Sequence, residues 1–205
     1  MGKAAYLQGN MSKIRFFSLA TWFLCALVIG GGTESANAQA KKPAKPAVES
    51  KNVVTPGGGK ALELGKYGDW GAYQTQSGKS KICYALAQPK DRQPTTLKRD
   101  PAYIFISHRP GEGVRGEVSV IMGFPLKEGA NDAGADVSGA NFGLITKGTN
   151  AWVKNVAEET QMIDAMRKGS KLVIKAPSAK GNVTTDTYTL GGLAQALDRV
   201  QKECP

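Results

Sequence analysis

Lys13 and Arg15 stand immediately ahead of an unbroken apolar stretch, Phe16 to Ile29, which is followed by Gly30, Gly31 and Gly32 and then by Ala36-Asn37-Ala38. A charged lead, an apolar centre and a small-residue A-x-A site, in that order, mark a cleaved bacterial export signal. The stretch has 14 residues, whereas a helix crossing about 30 Å of hydrocarbon needs roughly 20. The sequence therefore predicts export, removal of residues 1–38 and no transmembrane anchor after cleavage. Met11 is an alternative start to Met1, and Ala40 an alternative cleavage point to Ala38. Whatever folds does so in an oxidising compartment, with the periplasm as the expected location and outer-membrane association or secretion as further possibilities.

That compartment changes how the cysteines are read. Cys25 lies inside the export signal and leaves with it, so Cys83 and Cys204 remain. Two thiols in one small exported domain usually pair. The expectation is a bridge that pins a C-terminal helix to the second strand of a hairpin; two free buried thiols, or bridges between molecules, are the alternatives. There is no C-x-x-C pair, and Cys204 is one residue from the chain end, so a redox-catalytic use is not predicted.

Residues 39–60 are mainly Ala, Lys, Pro and Gly, with hardly a large apolar side chain. They cannot bury enough surface to offset chain entropy and are expected to form a flexible tether. Residues 61–205 are of single-domain size, and no internal repeat divides them.

Within that domain the apolar residues alternate in short runs. Lys66 to Thr75 carries Tyr67, Trp70 and Tyr73; Gln76-Ser77-Gly78-Lys79 reads as a turn; Lys81 to Gln88 then alternates Ile82, Tyr84 and Leu86 against Cys83, Ala85 and Ala87. The pair predicts a hairpin. Ala102 to Ser107, Glu117 to Met122, Phe142 to Thr146, Ala151 to Lys154, Lys171 to Lys175 and Val183 to Tyr188 read as further strands, and Asn131 to Gly143 as a glycine-rich loop or irregular edge. Glu158 to Lys168 predicts a short helix ended by Gly169. Leu190, Leu193, Leu197, Val200 and Cys204 share one face of a C-terminal helix, with Thr189 as its expected N-cap. Many short strands with two helices predict a mainly β fold of the sandwich kind.

The motifs that resemble chemistry fail on context. Gly111-Glu112-Gly113-Val114-Arg115-Gly116 spells a dinucleotide fingerprint, but Glu117 to Met122 alternates as a strand where the fingerprint requires a helix. It reads as a hairpin loop with Arg115 exposed. Gly57-Gly58-Gly59-Lys60 lacks the spacing and the following Ser or Thr of a phosphate loop. His108 is the only histidine, and on a strand it points away from the face of Ser107. No catalytic residue, metal set or cofactor is implied.

Charge is the remaining signal. Of 27 Lys and Arg and 17 Asp and Glu, cleavage after Ala38 removes Lys3, Lys13, Arg15 and Glu34, leaving 24 and 16 and a net charge of +8. Lys79, Lys81, Lys90, Arg92, Lys98 and Arg99 gather in one stretch, and Arg167, Lys168, Lys171, Lys175 and Lys180 in another. Export removes nucleic acid as a partner. The first group is therefore the candidate site for an anionic envelope surface, such as lipid head groups or lipopolysaccharide phosphates, against the alternative of ordinary solvated faces.

Several stretches, taken in order, resemble the invasion associated locus B family of exported bacterial proteins. They are Tyr67-Gly68-Asp69-Trp70, Cys83-Tyr84, the run from Pro101 to Arg109, Ala165-Met166-Arg167-Lys168-Gly169, and Tyr188-Thr189-Leu190-Gly191-Gly192-Leu193 leading to Ala196-Leu197 and Cys204. The resemblance implies an immunoglobulin-like β-sandwich, an envelope location and no catalytic activity. The expected function is an exported non-enzymatic envelope protein that binds an envelope or host protein or supports a surface assembly. The alternative is a salt-sensitive binding module for anionic lipid or glycan.

Overall fold

The computed structural model describes residues 52–54, 60–129 and 133–205. The export signal, and positions 39–51 and 55–59 of the expected tether, lie outside them. Among the described residues there are twelve strands and two helices: β1 Asn52–Val54, β2 Lys60–Tyr67, β3 Trp70–Ser77, β4 Ser80–Ala87, β5 Asp91–Gln93, β6 Tyr103–Arg109, β7 Val114–Ile121, β8 Gly134–Val137, β9 Ala140–Lys147, β10 Asn150–Val153, α1 Val156–Lys168, β11 Lys171–Pro177, β12 Val183–Thr189 and α2 Leu193–Glu203. The strands form one antiparallel sheet in the order β1-β2-β3-β4-β6-β7-β10-β9-β8-β11-β12-β5. The expected mainly β, sandwich-like architecture with a short helix and a C-terminal helix is what the chain adopts.

Its core follows from strand alternation. Ala72 pairs Ala85, Ala85 pairs Ile106 and Ile106 pairs Val118; further round, Val137 pairs Leu172 and Leu172 pairs Tyr188. All of these are buried and belong to one apolar cluster, so one face of both halves of the sheet lines a single core. The two halves meet where Trp70 Nε1 donates to the Thr189 carbonyl at 2.9 Å. Both helices close this core. Met162 and Met166 of α1, and Leu193, Ala196, Leu197 and Val200 of α2, are buried in it. At the start of α1, Asn155 accepts from the Glu158 N–H at 2.9 Å and donates to the Glu158 carboxylate at 2.8 Å, a reciprocal cap. Gly169 ends the helix as expected.

Several boundaries differ from the sequence reading, each for a local reason. The stretch Lys66 to Thr75 is two strands, because Gly68 and Asp69 turn the chain between β2 and β3. Four residues of the expected tether belong to the sheet: Asn52, Val53 and Val54 pair with Leu62, Ala61 and Lys60. Part of the expected 131–143 loop is strand. Gly134 faces Gly143 in the β8–β9 hairpin, and the inward residue Ala135 is too small to register as an apolar run. Residue Thr189 does not cap α2; it closes β12, and Gly192 is the N-cap. Strand β5 escaped notice because its inward residue is an arginine.

Candidate functional site

The six basic residues singled out above do not form one surface. Strand β4 separates Lys81 from the segment after Ala87 by six residues of strand, about 20 Å. The charges are also largely committed to carboxylates. Lys81 Nζ donates to the Glu203 carboxylate at 2.6 Å and to the Glu203 carbonyl at 2.9 Å, at the C-terminal end of α2. The Lys81 ammonium in turn holds the Glu203 carboxyl below its ordinary pKa. Lys90 pairs with Asp69 at 2.6 Å. Arg92 and Arg99 both reach Asp186, at 3.1 and 3.2 Å, and Asp186 is 0 % exposed.

Beside Lys81 lies the predicted bridge. Cys83 and Cys204 are joined with a Cα separation of 5.9 Å, pinning the end of α2 to β4. His108 is opposite Cys83 in the β4–β6 register, and burial holds its imidazole below the ordinary value. This end of the molecule is a staple. Arg109 reinforces it with a bidentate pair to Glu117, at 2.9 and 2.8 Å, and a contact to Glu112 at 2.7 Å.

At the opposite end, two partly buried arginines, Arg92 and Arg99, build a cleft. Arg92 donates to the Asp100 carbonyl at 2.7 Å and to the Met122 carbonyl at 2.8 Å, while Arg99 donates to the Pro94 carbonyl at 3.1 Å. The Asp100 N–H meets the Gly123 carbonyl at 3.0 Å. Together these bonds fold the 94–101 segment against residues 123–125. Gly123 has φ +70, and a side chain there would strike the Asp100 carbonyl, so the close approach requires glycine. Both arginines share the one Asp186 carboxylate beneath them, so the group keeps a net positive charge. Burial pushes its carboxyl upward in pKa, and Arg92 and Arg99 oppose that shift.

The resulting cleft has a volume of about 720 Å³. Leu97, Ile121, Phe124 and Pro125 line it, with Lys98 on one strip of chain and Lys180, from the turn after β11, on another. Lys98 and Lys180 are exposed and have no ion-pair partner among the described residues. Lys79, at the tip of the β3–β4 hairpin, is exposed and unpaired in the same sense. Of the six expected binding cations, therefore, only Lys98 meets the cleft as a free charge. Arg99 lines it while sharing the Asp186 carboxylate with Arg92; Lys79, Lys81, Lys90 and Arg92 are not among its lining residues.

The carboxylate that organises this site, Asp186, was missed. Its signal was present, since Thr184, Asp186 and Tyr188 alternate on one face of a predicted strand, and a carboxylate at a core-facing position must have a cation. Among the described residues Asp100 is the only carboxylate lining the cleft, and no three His, Cys, Asp or Glu side chains group closely enough to hold a metal ion. No helix among them is long and apolar enough to cross a membrane. The chain matches no protein-family model, no curated protein and no solved structure.

Proposed function

We propose that this protein is an exported, non-enzymatic component of the bacterial envelope that binds a ligand carrying an anionic group on an apolar body. The export signal, the bridge between Cys83 and Cys204 and the resemblance to the invasion associated locus B family support the location. The observation that carries the ligand class is the contrast among the cations. Lys81, Lys90, Arg92 and Arg99 of the first group are tied to Glu203, Asp69 and Asp186 and Lys79 stands free at the tip of the β3–β4 hairpin, whereas Lys98 and Lys180 stand unpaired over an apolar lining. An apolar cleft with a few placed charges is the usual form of a small-ligand site. A phosphate or carboxylate would sit between the two ammonium groups, and its hydrocarbon would cover Leu97 and Phe124.

Vesicles containing an anionic phospholipid provide the test, with neutral vesicles as control. Binding should appear on the anionic vesicles alone and weaken as salt shortens the Debye length from about 30 Å at 0.01 M to about 8 Å at 0.15 M. The double variant Lys98→Glu, Lys180→Glu should abolish it while the fold stays intact, because neither lysine holds a structural contact. Binding that ignores salt, or that survives the double variant, refutes the reading.

A further inference from the structure

The face of the sheet opposite the core carries a run of aromatic side chains of which Tyr84 is buried and its ring neighbours are only partly so. Following the strand register, one outer row runs Lys66, Gly71, Leu86, Phe105, Ser119, Trp152, Ile145. The next runs Glu63, Tyr73, Tyr84, Ser107. Tyr103 lies on the same face, two residues from Phe105. A water-facing sheet surface ordinarily carries polar side chains. Here four rings touch in series: Tyr73 and Tyr84 with centroids 5.6 Å apart, Tyr84 and Phe105 at 5.6 Å, and Phe105 and Tyr103 at 6.4 Å. Tyr73, Phe105 and Tyr103 remain only partly buried, and Ile145 at the end of the row is 47 % exposed. Both helices give their buried side chains to the core on the other face.

A hollow of about 400 Å³ opens on this surface, at the low end of the size range of ligand pockets. Gly71 and Leu86 lie in it, Tyr73 and Tyr103 are among its walls, and the Asp69–Lys90 pair stands at its edge. The Tyr73 ring lies across the backbone of Gly71; a side chain at Gly71 would meet the Tyr73 hydroxyl at 2.6 Å. Glycine there lets the ring lie low on the sheet. Asp69 is held in orientation from behind, since Thr189 Oγ1 donates to its second oxygen at 2.5 Å. It therefore presents a fixed acceptor next to the Lys90 donor, 2.6 Å away, with Lys90 55 % exposed.

Each candidate partner makes different demands on such a surface. An anionic membrane or a nucleic acid would require several free cations, but the hollow offers only Lys66, since Lys90 is bound to Asp69, and Glu63 adds a negative charge to the same face. An apolar peptide would leave the charged pair desolvated at the edge of its groove. A pyranose ring meets both demands: its C–H face packs on aromatic rings, and neighbouring hydroxyls take a paired acceptor and donor. We propose that the outer face of β3, β4 and β6 binds a saccharide chain, with one ring held between Tyr73 and Tyr103 and its hydroxyls on the Asp69–Lys90 pair. The row continuing through Phe105 to Trp152 favours an oligosaccharide over a single sugar. This site is separate from the cleft and stands whether or not the cleft binds an anion.

The test is titration of the mature protein with tetrasaccharides of glucose, N-acetylglucosamine and galacturonic acid, followed by amide chemical shifts. At least one should move resonances of β3, β4 and the start of β6 at concentrations up to about 10 mM. Tyr103→Ala should weaken that binding about fivefold or more, and Tyr103→Phe should retain it, because stacking needs the ring and not the hydroxyl. Lys90→Ala provides a second loss that does not disturb the aromatic row. Lys98→Glu with Lys180→Glu should leave it unchanged. Absence of shifts with all three sugars, shifts confined to the cleft, or equal binding by Tyr103→Ala overturns the proposal.

Discussion

Removing the bridge between Cys83 and Cys204 is the perturbation whose size the structure fixes best. The bonded residues are 121 positions apart, and closing a loop of that length lowers the entropy of the unfolded chain by an amount worth about 5 kcal/mol at 25 °C. Measured effects fall short of this figure, so a loss of about 3–5 kcal/mol is expected. The helix should nevertheless stay docked. Leu193, Leu197 and Val200 are almost fully buried, each contributing about 1.5–3 kcal/mol, and Lys81 still holds Glu203. The loss should therefore appear in the unfolding equilibrium and not in the native spectrum. Urea unfolding of the oxidised protein, the reduced protein and the Cys83→Ala, Cys204→Ala double variant measures it. With a slope of about 2 kcal/mol per molar urea, the midpoint should fall by about 1.5–2.5 M in both altered forms. The slope itself should rise, because the uncrosslinked unfolded chain expands. A midpoint shift under about 0.5 M with an unchanged slope would refute the entropic reasoning.

Asp186→Ala should destabilise by about 3–5 kcal/mol in thermal melts, because it leaves two partly buried guanidinium groups without a counter-ion; Asp186→Asn, which keeps the acceptor oxygen, should lose less. The Arg109 guanidinium lowers the Glu117 carboxyl from its ordinary 4.5. Its stabilisation is present above that value and is lost as pH falls through the depressed native value. Arg109→Gln should flatten this part of the acid limb of a stability–pH profile; an unaltered limb counts against the pairing. Gly123→Ala forces a side chain against the Asp100 carbonyl at φ +70. It should cost at least about 1 kcal/mol in denaturant unfolding and weaken anionic-vesicle binding, because it distorts the cleft wall.

What could be read from the sequence was local. The spacing of Leu193, Leu197 and Val200 gave the C-terminal helix its buried face, and the two cysteines expected to pair within the domain are bonded. Most of the strands were visible for the same reason, since alternation is written into consecutive residues. Contacts between distant elements were not visible. Arg92 and Asp186 are 94 residues apart, and Lys81 and Glu203 are 122 apart. A run of cations in sequence says nothing of carboxylates that arrive from the far side of the sheet. Strand β5 was hidden by the same fact, for Asp91-Arg92-Gln93 has no apolar member and its inward residue is satisfied by Asp186.

The pairing of charges also separates the molecule into two ends with different duties. At the start of β4, Lys81, Cys83, His108, Arg109 and Glu203 are joined by a covalent bond, ion pairs and register, and this end holds the last helix in place. At the other end of β4 the chain leaves the sheet at 68–69, 88–90, 94–102, 123–125, 148–149 and 178–182, and both hollows open among them. Loops held by a rigid scaffold are where binding residues concentrate. The two arginines on Asp186 make the 94–101 segment part of that scaffold, so the cleft is preformed without bound ligand. It follows that substitutions should divide by end. Changes near the bridge should lower stability and spare both ligands, whereas Lys98, Lys180, Tyr103 and Lys90 should alter binding and leave the unfolding midpoint almost unmoved. Asp186 and Gly123 should do both, because the charge of one and the close backbone approach of the other support the fold and shape the cleft.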